Sequence, residues 1–203
     1  MHQVASILMR LNMATHMWHE EADEPWLRLL DIRVTKADYL AQLVRMYGFE
    51  APLEGACAYT PQLGRVLELR QLTRAGFIAQ DLLELGLRPA ELAAIQCFSI
   101  TPFHDVATAM GWLYVIERST LLHDRVRRHL LARMPDVTDA CSYLAAFDGA
   151  VGERWQTFGK TIDRVGQSAQ NAKRIVEAAH EGFQRLLEWF RLARATSHQR
   201  SIG

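Results

Sequence analysis

Apolar residues recur at intervals of three and four positions along nearly the whole chain. In the first segment this stripe consists of Val4, Ile7, Leu8, Leu11, Thr15, Trp18 and Ala22. Such spacing gathers side chains on one face of an α-helix, which then packs against a hydrophobic core. No segment shows the strict alternation that is typical of a half-buried β-strand. The sequence therefore predicts an all-α, single-domain bundle of about eight helices with short connections.

Capping residues, prolines and glycines predict where several of these helices begin and end. Thr35 followed by Asp38 is typical of a helix start, because the two side chains satisfy backbone N–H groups of the first turn. Pro25 predicts the end of the first helix, since an internal proline removes a backbone hydrogen bond. Gly48 and Gly86 predict the ends of two later helices.

The longest periodic run predicts a single long helix, opened by Thr101 or Pro102 and closed by Pro135. Two further periodic segments, 142–165 and 169–194, complete the bundle. The residues that follow are polar and carry no apolar stripe. We therefore expect one helical domain over residues 1–195 and a frayed tail over 196–203.

Composition and charge exclude several classes of function. The chain has 203 residues, of which 49% are hydrophobic, and 23 basic residues balance 23 acidic ones, so a general nucleic-acid-binding protein is not expected. Cys57, Cys97 and Cys141 show no CxxC spacing, which argues against a disulfide framework or a zinc site and favours reduced thiols in a cytoplasmic protein. Charged residues interrupt every long apolar stretch, so no membrane insertion is expected.

His19 is the first residue with candidate chemistry. It lies four positions after Thr15 and borders the apolar stripe of the first helix. An imidazole at such a place suits a half-buried core residue, and it equally suits an axial ligand to haem iron. The residues of this helix alone leave both interpretations open.

Five segments, taken in order, resemble the bacterial haem oxygenases. They are "MRLNMATHMWHEEADE" (9–24), "ADYLAQLVRMYGFEAPLE" (37–54), "LYVIERSTLLHD" (113–124), "WQTFGKTID" (155–163) and "EAAHEGFQRLLEWF" (177–190). The first is similar to the proximal helix of that family, in which a Thr precedes the iron-ligating His by four residues. The third is similar to its distal helix. The chain most resembles the biliverdin-producing branch that is associated with bacterial phytochromes.

The resemblance implies that haem is both cofactor and substrate and lies between the first helix and the long helix. It implies that His19 ligates the iron, that Arg10 steers a propionate and that Phe183 packs near haem. Tyr114 would face the same cleft, and Ser119 would help to hold a distal water network in catalysis. Each of these residues also suits an ordinary structural role. The implied reaction uses dioxygen and an electron donor of the ferredoxin type, and releases biliverdin, carbon monoxide and ferrous iron.

The chain departs from the family at the distal helix, which ordinarily reads Tyr-Val-x-Glu-Gly-Ser-x-Leu-Gly-Gly. Arg118, Leu122 and His123 stand where the glycines are usual. An interior helical glycine costs about 0.5–1 kcal/mol relative to alanine, so a helix keeps one where something must approach its backbone.

Three outcomes follow from this departure. Haem still binds, with Arg118 turned aside or reaching a propionate. Alternatively, His123 becomes a second iron ligand and the protein binds or senses haem without turnover. Finally, Leu122 fills the cavity so that no haem enters, and the protein is an inactive relative that serves as an interaction module. The sequence leaves these three outcomes open.

Overall fold

The computed structural model describes residues 6–200, apart from the side chains of Gln71 and of residues 193–200. This part of the chain contains no β-strand, and the structure is 77% helical, which confirms the prediction of an all-α fold. Nine α-helices follow one another within the described residues: α1 (Ile7–Arg28), α2 (Lys36–Ala58), α3 (Ala75–Glu84), α4 (Pro89–Ala93), α5 (Val106–Ser119), α6 (His123–Arg133), α7 (Ser142–Ala145), α8 (Val151–Val165) and α9 (Ala169–Arg200). Short 3-10 segments lie at Leu63–Arg65, Leu69–Leu72, Thr120–Leu122 and Pro135–Ala140.

Helix α5 runs through the centre of the molecule and is buried along nearly its whole length. It packs most extensively on α9, and α1 packs on α9 from another side. Gly111 permits this close approach, because a Cβ atom there would lie against the backbone oxygen of Ile175 and 2.6 Å from the Cβ of Ala178. The α1–α9–α5 layer is the part of the fold that positions the candidate site.

Helix α1 continues past the predicted end at Pro25 and finishes at Arg28, so that boundary was wrong. Proline removes one backbone hydrogen bond within the helix. Here Pro25 is itself buried, and Trp26 beside it is 1% exposed. Burial of these two side chains offsets the lost bond, because a buried aromatic residue dominates the energetics of its surroundings. The extension carries α1 about two and a half turns beyond His19.

The predicted start of α2 is confirmed, whereas its predicted end is wrong. The Thr35 hydroxyl accepts from the Asp38 backbone N–H, and the Asp38 carboxylate accepts from the Thr35 backbone N–H. Gly48, predicted as the end, lies inside a helix that runs to Ala58. A Cβ atom at this position would lie 2.5 Å from Trp189 and 2.7 Å from the Gln96 backbone oxygen. The glycine therefore serves close packing rather than helix termination.

The long helix predicted between Thr101 and Pro135 is two helices separated by a break. Asp105 caps the start of α5 by accepting from the Thr108 backbone N–H at 2.9 Å. Helix α5 ends at Ser119, and one 3-10 turn, Thr120–Leu122, leads into α6. The apolar period continues through the break, so periodicity alone does not reveal it.

A network of buried charges holds the end of α5 in place. The Glu117 carboxylate is 2% exposed and accepts two hydrogen bonds from Arg154 of α8, at 2.6 and 2.8 Å. The Arg74 guanidinium lies 3.9 Å from Glu117 and 3.2 Å from Glu50 of α2. The Tyr143 hydroxyl donates to Glu50. Burial raises the pKa of Glu50 to about 7, although Arg74 and Tyr143 oppose that rise.

Helix α3 ends just before Gly86, whose φ of +99° agrees with the predicted helix end. Residues 196–200, predicted as part of a tail, continue α9, and residues 201–203 lie outside the described residues. Within the described residues, none of the helices combines the length and the apolar character that a membrane span requires.

Replacing Glu117 by alanine is expected to lower the free energy of unfolding by about 3–5 kcal/mol, because it leaves the buried Arg74 and the half-buried Arg154 without their shared partner. Urea denaturation followed by circular dichroism measures this loss. Asp124→Ala, which breaks the exposed Arg128–Asp124 pair, is the control and is expected to change stability by less than about 1 kcal/mol. Equal effects of the two substitutions would contradict a stabilising role for the network.

Candidate functional site

His19 lies on the buried face of α1, where its imidazole is 8% exposed. Its Nε2 atom lies 3.0 Å from the Thr15 hydroxyl oxygen. That hydroxyl donates its own proton to the Leu11 backbone oxygen at 2.8 Å, so it is left to accept a hydrogen bond from His19 Nε2–H. This assignment leaves the lone pair of His19 on Nδ1. Thr15 thus orients a ring whose second nitrogen keeps a lone pair that could bind a ligand.

The surroundings of His19 keep its imidazole neutral. Burial and, to a smaller extent, the nearby Arg118 cation lower the pKa of His19 to about 4, whereas Asp23 opposes the change. A neutral imidazole is the form that coordinates metal ions, because a proton on the second nitrogen would occupy the lone pair. At neutral pH this histidine is therefore a competent ligand.

Aromatic side chains from α5 and α9 border the His19 ring. The ring of Phe183 on α9 lies 5.6 Å from that of His19, and the ring of Tyr114 on α5 lies 6.3 Å from that of Phe183. Both aromatic residues are 1% exposed. Trp18, the neighbour of His19, donates from Nε1 to His180 Nδ1 at 3.1 Å and ties α1 to α9. Three of the predicted site residues, His19, Tyr114 and Phe183, therefore meet between three helices.

Arg118 turns toward α1 and pairs with Asp23. Its two terminal nitrogens donate to the two carboxylate oxygens at 2.6 and 2.8 Å. The side chains are 16% and 17% exposed, so the pair is largely shielded from water. Asp23 lies four residues after His19, one turn further along α1. The ion pair therefore links α5 to the helix that carries the candidate ligand.

Two hydroxyl groups lie at the break that follows α5. Ser119 Oγ donates to the Ile116 backbone oxygen at 2.7 Å, and Thr120 Oγ1 donates to the Glu117 backbone oxygen at 2.6 Å. Such bonds to carbonyls in the preceding turn compete with the helical ladder and bend helices. The predicted site residue Ser119 thus has its proton committed to the backbone, while its oxygen can still accept a hydrogen bond.

Leu122 and His123, at the other end of the break, point to different surroundings. Leu122 is half-buried and packs against the hydrophobic core. His123 is 2% exposed, and its ring lies 5.1 Å from that of Trp26 and 4.7 Å from that of Tyr143. Burial and, to a smaller extent, the Arg74 cation lower the pKa of His123 to about 3. Within the described residues neither ring nitrogen of His123 has a hydrogen-bond partner.

His123 lies on α6 and contacts α1 at a different level from His19. Trp26, which His123 contacts, follows His19 by seven residues, and this corresponds to about 10 Å along a helix that rises 1.5 Å per residue. Arg10 lies nine residues before His19 in the first turns of α1 and is half-buried. Arg10 and His123 therefore flank the His19 cluster from opposite ends of α1, and their predicted roles stay predictions.

Asp23 is the main residue of this site that the sequence analysis missed. Its signal was the four-residue spacing of Thr15, His19 and Asp23, which places all three on the same side of α1. The partner, Arg118, follows 95 positions later, and no local pattern links the two residues.

Comparison with known protein families matches residues 5–192 to the family described as Heme oxygenase. A solved structure titled as the NO- and CO-bound heme oxygenase from Neisseria meningitidis has a similar fold, with a TM-score of 0.75 and 20% sequence identity. The match covers 94% of this chain and 92% of that chain. At this identity the likeness supports the fold alone. No curated protein matches the chain.

The His19 imidazole of the ligand-free protein is expected to titrate near pH 4, well below the ordinary value of about 6.5. Long-range ¹H–¹⁵N NMR spectra, assigned with a His19→Gln variant, measure this midpoint. Because the folded-state pKa is the lower one, the stability contributed by neutral His19 is full above pH 6.5 and decreases as the pH falls toward 4. A midpoint near 6.5 would show that the ring is hydrated rather than buried.

Proposed function

This chain belongs to the haem oxygenase family, and from that premise we propose that it binds haem through His19 and opens the porphyrin ring oxidatively. The products of this reaction are biliverdin, carbon monoxide and ferrous iron. The observation that carries the proposal is the state of His19, a buried and neutral imidazole with a free lone pair, on the first helix of the fold.

The side chains around His19 are of the chemical types that bind a porphyrin. Phe183 and Tyr114 offer aromatic surfaces to an apolar, planar ligand, and Thr15 holds the imidazole ring. Arg118, the bulkiest of the residues that replace the family glycines, directs its guanidinium to Asp23. Arg10, nine residues before His19, would pair with a propionate at the edge of the porphyrin.

When bound, haem supplies the iron-centred dioxygen chemistry, and an external donor, of the ferredoxin type, supplies the electrons. The chain itself supplies binding, orientation and proton positions. Thr15 keeps His19 oriented, and burial keeps it unprotonated. Ser119, whose oxygen retains its capacity to accept a hydrogen bond, would hold a water molecule on the distal side.

One observation favours the alternative, a haem-oxygenase-like protein that binds or senses without turnover. Leu122 is half-buried and packs against the core at a position where the family has glycine. Its side chain would limit the approach of the distal backbone to a ligand. For His123 we propose a packing role, because its ring contacts Trp26 and Tyr143.

Titration of the purified protein with haemin is expected to produce a sharp Soret band that His19→Ala abolishes. The loss of the axial ligand should weaken binding at least tenfold, or by about 1.4 kcal/mol. His104→Ala removes an exposed histidine outside α1 and serves as the matched control. If His19→Ala and His104→Ala give the same spectrum as the unchanged protein, His19 is not the ligand.

Turnover distinguishes the oxygenase from the binding protein. With haemin bound, a reductant and air, biliverdin absorbance is expected to appear, and Leu122→Ala is expected to increase its rate by opening space beside the distal backbone. Release of carbon monoxide, trapped by a haem protein, provides a second measurement. A stable haem complex that yields no biliverdin in either protein would support the binding alternative.

A further inference from the structure

Three methionine side chains form an exposed file along the outer face of α1. Met9, Met13 and Met17 follow one another at four-residue intervals, and their exposed fractions are 56%, 69% and 71%. Residues four positions apart lie on the same face of an α-helix, one turn from each other. Single exposed apolar side chains are ordinary on a protein surface, whereas a file of three calls for a physical reason. Core packing does not supply that reason, because none of the three belongs to the core or to the half-buried residues around it.

His16 adds an imidazole to the methionine file. It is exposed, and it follows Met13 by three residues, which is the other spacing that makes side chains neighbours on a helix. Met13 is therefore the centre of the group, with Met9 and Met17 one turn away on either side. The Cβ atoms of such neighbours lie about 5–6 Å apart. Because a methionine side chain has three rotatable bonds, exposed thioethers at this spacing can turn toward a common point.

The donor atoms of this group select one class of metal ion. Thioether sulfur is a soft ligand that favours Cu(I), and imidazole also binds copper, whereas magnesium, calcium and manganese ions prefer oxygen. Across the described part of the chain, no group of three or more His, Cys, Asp or Glu side chains could hold a metal ion. We propose that Met9, Met13, Met17 and His16 form a surface site for a soft monovalent metal ion of the Cu(I) class.

This site differs in position and in chemistry from the haem site proposed at His19. The ring of His16 lies 5.7 Å from that of His19, but His16 is exposed whereas His19 lies on the buried face of α1. Glu20, one turn beyond His16, is also exposed and places a negative charge beside the file. A carboxylate at this distance attracts a cation toward the thioethers. The site uses none of the residues assigned to haem, so it stands or falls independently of that function.

An apolar docking surface is the other use of the same file, and leucine distinguishes the two. Leucine is close to methionine in volume and apolar character, so Met→Leu keeps a hydrophobic contact surface. It has no sulfur and therefore removes a metal ligand. Metal binding requires the thioether, whereas docking of an apolar partner requires only the hydrophobic area.

The affinity for Cu(I) is measured without oxygen, in ascorbate, by competition with the coloured chelator bicinchoninate. The full chain carries Cys97→Ser in every sample, because the exposed thiol of Cys97 would compete for a soft ion. Cys57 and Cys141 are buried, and burial raises the pKa of Cys57 to about 12 and that of Cys141 to about 11. These two thiols therefore stay protonated and remain unchanged.

The protein is expected to bind a single Cu(I) ion, and Met13→Leu is expected to weaken that binding about tenfold or more, because it removes the central ligand. His16→Gln is expected to weaken it as well. Met134→Leu, which changes a half-buried methionine on another part of the chain, is the matched control and should alter the affinity less than about twofold. Equal affinities of Met13→Leu and its parent would overturn the site.

Methyl NMR locates the bound ion directly. Silver(I), a soft ion that is not oxidised in air, is added to protein labelled with ¹³C at the methionine methyl groups. The signals of Met9, Met13 and Met17 are expected to move together and to stop at one equivalent, while those of the buried Met46 and Met110 stay in place. Shifts confined to other methionines overturn the proposal. Failure to bind either ion, with self-association that Met13→Leu retains, overturns it in favour of an apolar docking surface.

Discussion

The buried carboxylate of Glu117 holds the end of the central helix, α5, in place. Glu117 is almost fully buried, and an ion in that position needs its partners in place. Arg154 supplies two hydrogen bonds and Arg74 a second positive charge, so α8 and the segment before α3 are tied to the last turn of α5. The rest of the candidate site depends on this anchor, because Arg118 is the next residue along the helix.

Successive residues of an α-helix point about 100° apart, so residues 117 and 118 project from different faces of α5. Glu117 projects toward α8, and Arg118 projects toward Asp23 on α1. The same turn of backbone is thereby held from two sides by ion pairs. The break at Thr120–Leu122 begins directly after this doubly held turn, where Ser119 and Thr120 bond to preceding carbonyls. The break between α5 and α6 contains no glycine. It follows two ion-paired residues, Glu117 and Arg118, and two hydroxyl groups that bond to the backbone.

The sequence predicted the fold class and part of the site because those features depend on local patterns. The α2 cap, the turn at Gly86 and the placement of His19 beside a buried stripe all follow from residues a few positions apart. The errors concern long-range contacts. Gly48 continues α2 because Trp189 and Gln96 crowd it, which no neighbouring residue reveals. The Asp23–Arg118 pair and the Glu117 network likewise join residues that stand far apart in the chain, and polar residues in an amphipathic pattern are ordinarily taken as solvent-exposed.

Burial also explains why the chemistry of His19 requires its neighbours. An imidazole in a low-dielectric interior loses its proton readily and keeps its lone pair, but the same interior magnifies every nearby charge. An arginine placed alone beside this ring would repel a cationic metal centre. In the ion pair, Asp23 opposes the effect of Arg118 on the imidazole, while burial keeps the imidazole neutral. The arginine that stands at this glycine position thus has its charge partner on α1, in Asp23, one turn beyond His19.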